Sequence, residues 1–113
     1  MKDKNEHKTM VFRRLKKEEG NEKKKVKHPK LIVEEKEDKY GYMGLTSSKK
    51  KGHHANIPLV KNPQKGAKGK SYIRKELRED KKENFGKILE NYNLSKQDKK
   101  AIIEFIEKRK KKK

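Results

Sequence analysis

The chain contains no cysteine and no tryptophan, three prolines, and aromatic residues at only 6% of its 113 positions. The missing cysteines exclude a disulfide framework, a thiolate metal site and a cysteine nucleophile. No run of about 18 apolar residues occurs, so no helical membrane span is expected. The first residues, Met1-Lys2-Asp3-Lys4-Asn5-Glu6, are followed by no apolar stretch of the kind a secretory signal needs, and a cytoplasmic protein is expected. Hydrophobic residues are scarce as well, at 27%, against 47% charged. One small domain is the most that such a chain supports.

What the chain has in excess is lysine. Thirty-six Lys and Arg against 17 Asp and Glu leave a formal charge of +19, which points to a polyanionic partner. The excess is not spread evenly. Residues 1–26 carry +5 and residues 27–48 are neutral. Residues 49–75 hold nine basic side chains and no acidic one, residues 76–107 sum to −1, and residues 108–113 add +6. This pattern divides the chain into a basic, flexible N-terminal arm over 1–25, a single domain over 26–107, and a basic tail over 108–113.

Within the domain, Lys30-Leu31-Ile32-Val33 and Tyr40-Gly41-Tyr42-Met43-Gly44-Leu45 read as two strands. The polar Glu34–Lys39 connector suits an antiparallel hairpin. Period-2 alternation places Tyr40, Tyr42 and Gly44 on one face and Gly41, Met43 and Leu45 on the other. Ile57-Pro58-Leu59-Val60 is a third, edge-like strand, and Ser71-Tyr72-Ile73-Arg74 a fourth. A loop rich in glycine and lysine separates them. Phe85, Ile88, Leu89 and Tyr92 fall at i, i+3, i+4 and i+7 and predict one helix. Ser95 and Asp98 predict the start of another, with Ala101, Ile102, Phe105 and Ile106 as its apolar stripe. The expected fold class is α+β: a small curved antiparallel sheet followed by two C-terminal amphipathic helices.

The segment Thr46-Ser47-Ser48-Lys49-Lys50-Lys51-Gly52-His53-His54 gathers hydroxyls, ammonium groups and imidazoles within nine residues. The hydroxyls and lysines suit a phosphate. His53 and His54 suit proton transfer near neutral pH. A phosphodiester attacked by its own neighbouring 2′-hydroxyl needs a base, a cationic clamp and an acid, and this segment offers a group for each. The same residues also make an ordinary exposed turn. Two adjacent histidines without a third ligand do not define a metal site, and no metal or cofactor is expected. Candidate RNA contacts outside the segment are Lys27, His28, Tyr40, Lys65, Lys68, Lys70, Tyr72 and Arg74. Lys50 and Lys51 join them from within it; the tyrosines would supply stacking faces, although Tyr40 suits packing in a small core equally well.

Lys27-His28-Pro29-Lys30-Leu31-Ile32-Val33, a charged turn, and Tyr42-Met43-Gly44-Leu45-Thr46-Ser47 followed by Ser48-Lys49 resemble the core of the MazF/PemK superfamily of toxin endoribonucleases. The Leu-Thr-Ser-x-Lys arrangement of Leu45 to Lys49 looks closer still to the ToxN and AbiQ branch. The resemblance spans about residues 27–75. It implies an SH3-like β-barrel, metal-independent cleavage of single-stranded RNA to a cyclic phosphate, and an RNA or protein antitoxin as partner. A homodimer or a toxin–antitoxin hetero-oligomer would fit it. Carried over, Thr46 and Ser47 would contact the scissile phosphate and Lys49 would stabilise its charge or deliver a proton. Lys27 stands where the pattern usually has arginine, and lysine forms no bidentate clamp. The family's first strand has one counterpart here, Met10 to Phe12. The roles of His53 and His54 rest on chemistry alone. A non-catalytic nucleic-acid-binding protein, or a basic protein that orders on an acidic partner, would use the same lysines.

Overall fold

A computed structural model describes residues 9–16, 29–51 and 54–111. Its architecture is α+β: a curved antiparallel sheet of six strands and one C-terminal helix. Strands β1 (Val11–Arg13), β2 (Lys30–Glu35) and β3 (Lys39–Thr46) pair in sequence. The β2–β3 hairpin forms as its hydrophobic pattern predicts, with a bulge between Ile32 and Glu34. Strand β3 is the spine, because its far edge is shared by two partners. Its first half pairs with β8 (Arg78–Lys81), and its end pairs with β7 (Tyr72–Ile73). Strand β6 (Ile57–Pro58) then pairs with β7. A separate two-stranded ribbon, β4 (Lys50–Lys51) with β5 (His54–Ala55), lies between β3 and β6 in the chain.

The alternation along β2 and β3 buries both faces of the sheet. Phe12, Leu31, Met43, Leu45 and Ile73 enter the larger core with Tyr92, Leu94 and Ile102. Ile32, Tyr40 and Tyr42 turn the other way and pack with Leu15 and Phe85. Charge-rich flanks make residues 10–15 read as part of a flexible arm, yet Phe12 is fully buried and β1 pairs with β2 as an edge of the sheet.

Residues 85–95 correct the two-helix expectation, because they form no helix. Their backbone is committed elsewhere. Phe85 bridges Leu15, Gly86 N–H donates to Arg14 O at 2.8 Å, and Leu89 N–H donates to Phe12 O at 2.8 Å. Phe85 lies in one core and Tyr92 in the other, so the 3.6-residue spacing does not mark a shared face. Gly86, Asn91 and Asn93 are also weak helix formers, so the segment gives up little by covering the free edge of β1.

The helix α1 (Lys96–Lys111) begins as expected, with Asp98 N–H donating to the Ser95 hydroxyl at 3.1 Å. Ile102 is buried and Phe105 and Ile106 half-buried, while Ala101 is exposed and stands outside the apolar stripe. The helix runs through residues 108–111, which charge alone sets apart as a tail. No helix among the described residues is long and apolar enough to cross a membrane.

Candidate nucleic-acid interface

The end of β3 and the strand beside it bring several predicted site residues together. Thr46 is the last residue of β3 and lies opposite Tyr72 of β7. Arg74 follows directly after β7. Its N–H donates to Gly44 O at 2.9 Å, and its side chain lies over Gly44, where an added Cβ would come within 3.2 Å of Arg74 Cδ. The glycine at 44 therefore lets the arginine lie across β3, two residues before the turn.

The expected hydroxyl pair is divided by burial. Thr46 is 3% exposed, and its Oγ1 accepts the Ser48 N–H at 3.1 Å, closing the turn from below. Ser47, Ser48 and Lys49 are exposed. The turn is tied further on: Asn56 is buried, its Nδ2 donates to Ser48 O at 3.0 Å, and its N–H donates to Lys49 O at 3.0 Å. The division falls at the strand's end: Thr46, the last residue of β3, is buried like Leu45 before it, whereas Ser47 to Lys49 lie beyond the pairing. Ser47 and Lys49 are thus the accessible groups, and Thr46 shapes the turn that presents them.

Other predicted contacts fare differently. Tyr40 is 8% exposed, packs edge-on against Phe85 at 5.3 Å, and has the Arg13 guanidinium 5.2 Å and the Lys82 ammonium 5.5 Å from its ring centre. Its ring is engaged within the protein and offers no face for a base. Tyr72 is half-buried, and Lys65, Lys68 and Lys70 are exposed in the loop before it. Lys50 and Lys51 lie in β4 and His54 in β5. Lys27, His28 and His53 lie outside the described residues. Among the described residues no group of three or more His, Asp or Glu could hold a metal ion.

The loop from Leu59 to Ser71 is held in one shape by its own hydrogen bonds. Leu59 N–H donates to Ser71 O at 3.1 Å, Asn62 Nδ2 to Gly69 O at 2.7 Å, and Gln64 N–H to Asn62 Oδ1 at 2.9 Å. Gly66, at φ +83°, sits third in the turn closed by Ala67 N–H and Gln64 O at 3.1 Å, a position that needs positive φ in type II turns. From beneath, the buried Asp98 carboxylate accepts Val60 N–H at 2.8 Å and Lys61 N–H at 3.2 Å. Sequence reading assigns Asp98 to the helix cap. Its longer-range role had no local signal, because its acceptors' partners lie 37 and 38 residues away. Lys61 joins the basic surface in the same way, brought there by the fold.

Comparison of the chain with protein-family models, curated proteins and solved structures finds no significant match.

Proposed function

We propose that the protein is a toxin-type endoribonuclease that cleaves single-stranded RNA without a metal ion, within a toxin–antitoxin or phage-defence module in the cytoplasm. The observation that carries this reading is the end of β3: an exposed Ser47–Lys49 turn, fixed by Thr46 and Asn56, with Tyr72 on the adjoining strand and Arg74 just after it. The uninterrupted positive charge of residues 49–75 would draw RNA to that turn. In this reading the sheet, whose spine β3 pairs along both edges, is the core of an SH3-like barrel. An RNA or protein antitoxin covers the turn.

The chemistry would be internal transesterification. The substrate 2′-oxygen loses its proton and bonds to the adjacent phosphorus. The bond from phosphorus to the 5′-oxygen breaks, and that oxygen gains a proton, leaving a 2′,3′-cyclic phosphate and a 5′-hydroxyl. Lys49 and Arg74 would offset the charge that builds on the phosphorane, Ser47 would donate to a non-bridging oxygen, and His53 or His54 would carry protons.

Incubating the purified protein with a long RNA in EDTA tests the proposal by the fragments' ends. Cyclic phosphate ends are expected from the wild type. Lys49→Ala should lower the cleavage rate by about 10²- to 10³-fold, the usual loss for one oxyanion donor, while most RNA affinity remains.

One observation favours a second reading, a non-catalytic RNA-binding protein: burial of the Thr46 hydroxyl removes a group expected at the phosphate. Under that reading RNA stays intact, and Lys49→Ala weakens binding by the same small step as any other lysine change.

A further inference from the structure

A concavity of about 520 Å³ opens beside the β3 turn, between the segment Pro58–Asn62 and the segment Ala67–Tyr72. Its size is that of a small-ligand site. Lys61, Lys68 and Lys70 line it, together with Pro58, Val60 and the half-buried Tyr72. Val60 is 68% exposed, an unusual amount for a valine in so polar a loop. No acidic residue among the described ones lines the cleft. Asp98, beneath it, is 1% exposed and turns both carboxylate oxygens to the Val60 and Lys61 N–H groups. Tyr72 faces Pro58 across one strand pairing and Thr46 across the other, so the cleft and the turn lie on neighbouring strands about 5 Å apart.

We infer that this cleft is a nucleotide subsite, in which one base of single-stranded RNA stacks on Tyr72 and Pro58 while flanking phosphates meet Lys61, Lys68 and Lys70. Ammonium groups alone would suit any polyanion. An aromatic ring, a proline and an exposed valine in one cleft with three lysines suit a flat apolar base joined to phosphates. The walls are already hydrogen-bonded in place, so little ordering cost opposes binding. The inference rests on the RNA reading above, and it adds a place where that RNA is gripped away from the bond that breaks.

The test uses a short 2′-O-methyl RNA oligonucleotide carrying 4-thiouridine, which can bind and photocrosslink but has no 2′-hydroxyl to attack. Fluorescence anisotropy over a salt series should show Tyr72→Ala binding about 5- to 150-fold more weakly, the worth of one stacked base, with an unchanged salt slope. Tyr72→Phe should bind as the wild type. The triple variant Lys61→Ala, Lys68→Ala, Lys70→Ala should flatten the slope of log affinity against log salt by about 2. A charge-matched triple at Lys81, Lys87 and Lys108, none of which lines the cleft, should change it far less. Crosslinks should map to residues 58–72. A folded Tyr72→Ala protein that binds like the wild type, equal slopes for the two triples as expected for an acidic-peptide or general polyanion surface, or crosslinks confined to other segments would overturn the subsite. Binding that depends on Tyr72, in a protein that cuts no RNA, would keep the subsite and overturn the cleavage reading. Cleavage with unchanged Tyr72→Ala binding would do the reverse.

Discussion

Two clefts among the described residues are similar in size, and their charges differ in kind. The first, about 590 Å³, separates the sheet from the end of α1 and is lined by Glu34, Lys36, Met43, Glu79, Arg109 and Lys110, among others. Its cations are spoken for: Lys36 pairs with Glu79, Lys110 with Glu34 at 2.9 Å, and Arg109 donates to Lys75 O at 2.5 Å. The second, about 520 Å³, presents Lys61, Lys68 and Lys70 with no acid among the described residues of its lining. A net charge of +19 therefore does not act everywhere alike. Where strands and helix bring glutamates among the lysines, charge is spent on holding elements together. Where the chain runs through 49–75 without an acid, it remains available to a polyanion.

The largest expected effect sharpens that contrast directly. Removing Lys61, Lys68 and Lys70 together should weaken single-stranded RNA binding on the order of a hundredfold at ~0.1 M salt, from three lost phosphate contacts. Removing Lys36, Arg109 and Lys110 should weaken it less than about fivefold in the same anisotropy measurement. Equal losses would erase the distinction between the clefts.

Asp98→Ala comes next, because it strips two backbone donors of their shared acceptor under the basic loop. Urea denaturation should show a loss of about 2–4 kcal/mol. Hydrogen exchange should rise at Val60 and Lys61 while the β2–β3 amides keep their relative protection. Gly66→Ala places a side chain at φ +83° and should cost about 1 kcal/mol in the same denaturation, with RNA affinity falling as the lysine loop shifts.

The smallest effect belongs to the first cleft. The hydrogen bond to Lys36 holds the Glu79 carboxyl below its ordinary value of 4.5, and the same bond raises Lys36 above 10.5. A depressed carboxylate favours the folded state above its unfolded pKa, and that contribution disappears as pH falls through the lower folded value. Stability should thus show a slight decline below about pH 4.5 that Glu79→Gln removes, measured by thermal melts across pH. Both partners are solvent-exposed, so the effect should vanish in high salt.

Much of the sheet was readable in the chain because its signals are local. Leu31 to Val33 and Tyr40 to Leu45 carry β-branched and aromatic residues in alternation, and the short polar connector leaves them one way to pair. Ser95 caps α1 through a bond spanning three residues. Residues 85–95 misled because apolar residues at helical spacing serve two different cores, Phe85 in one and Leu89 and Tyr92 in the other, with backbone groups bonded to β1 and its neighbours. Strand β8, Arg-Glu-Asp-Lys, has no apolar residue and exists because the edge of β3 accepts it. At the candidate site, Tyr40 could be read as either a stacking face or a core residue and lies inside, and Thr46, expected at the phosphate, is buried as well.

The order of residues by itself determined where charge accumulates, which two strands form the central hairpin, and where the last helix starts, since each depends on neighbours a few positions apart. Which lysines meet glutamates in the first cleft, which hydroxyl is hidden, and how Tyr72 comes to lie between Thr46 and Pro58 were decided by pairing between distant segments. Those contacts reflect a competition for buried surface and backbone hydrogen bonds that no local pattern records.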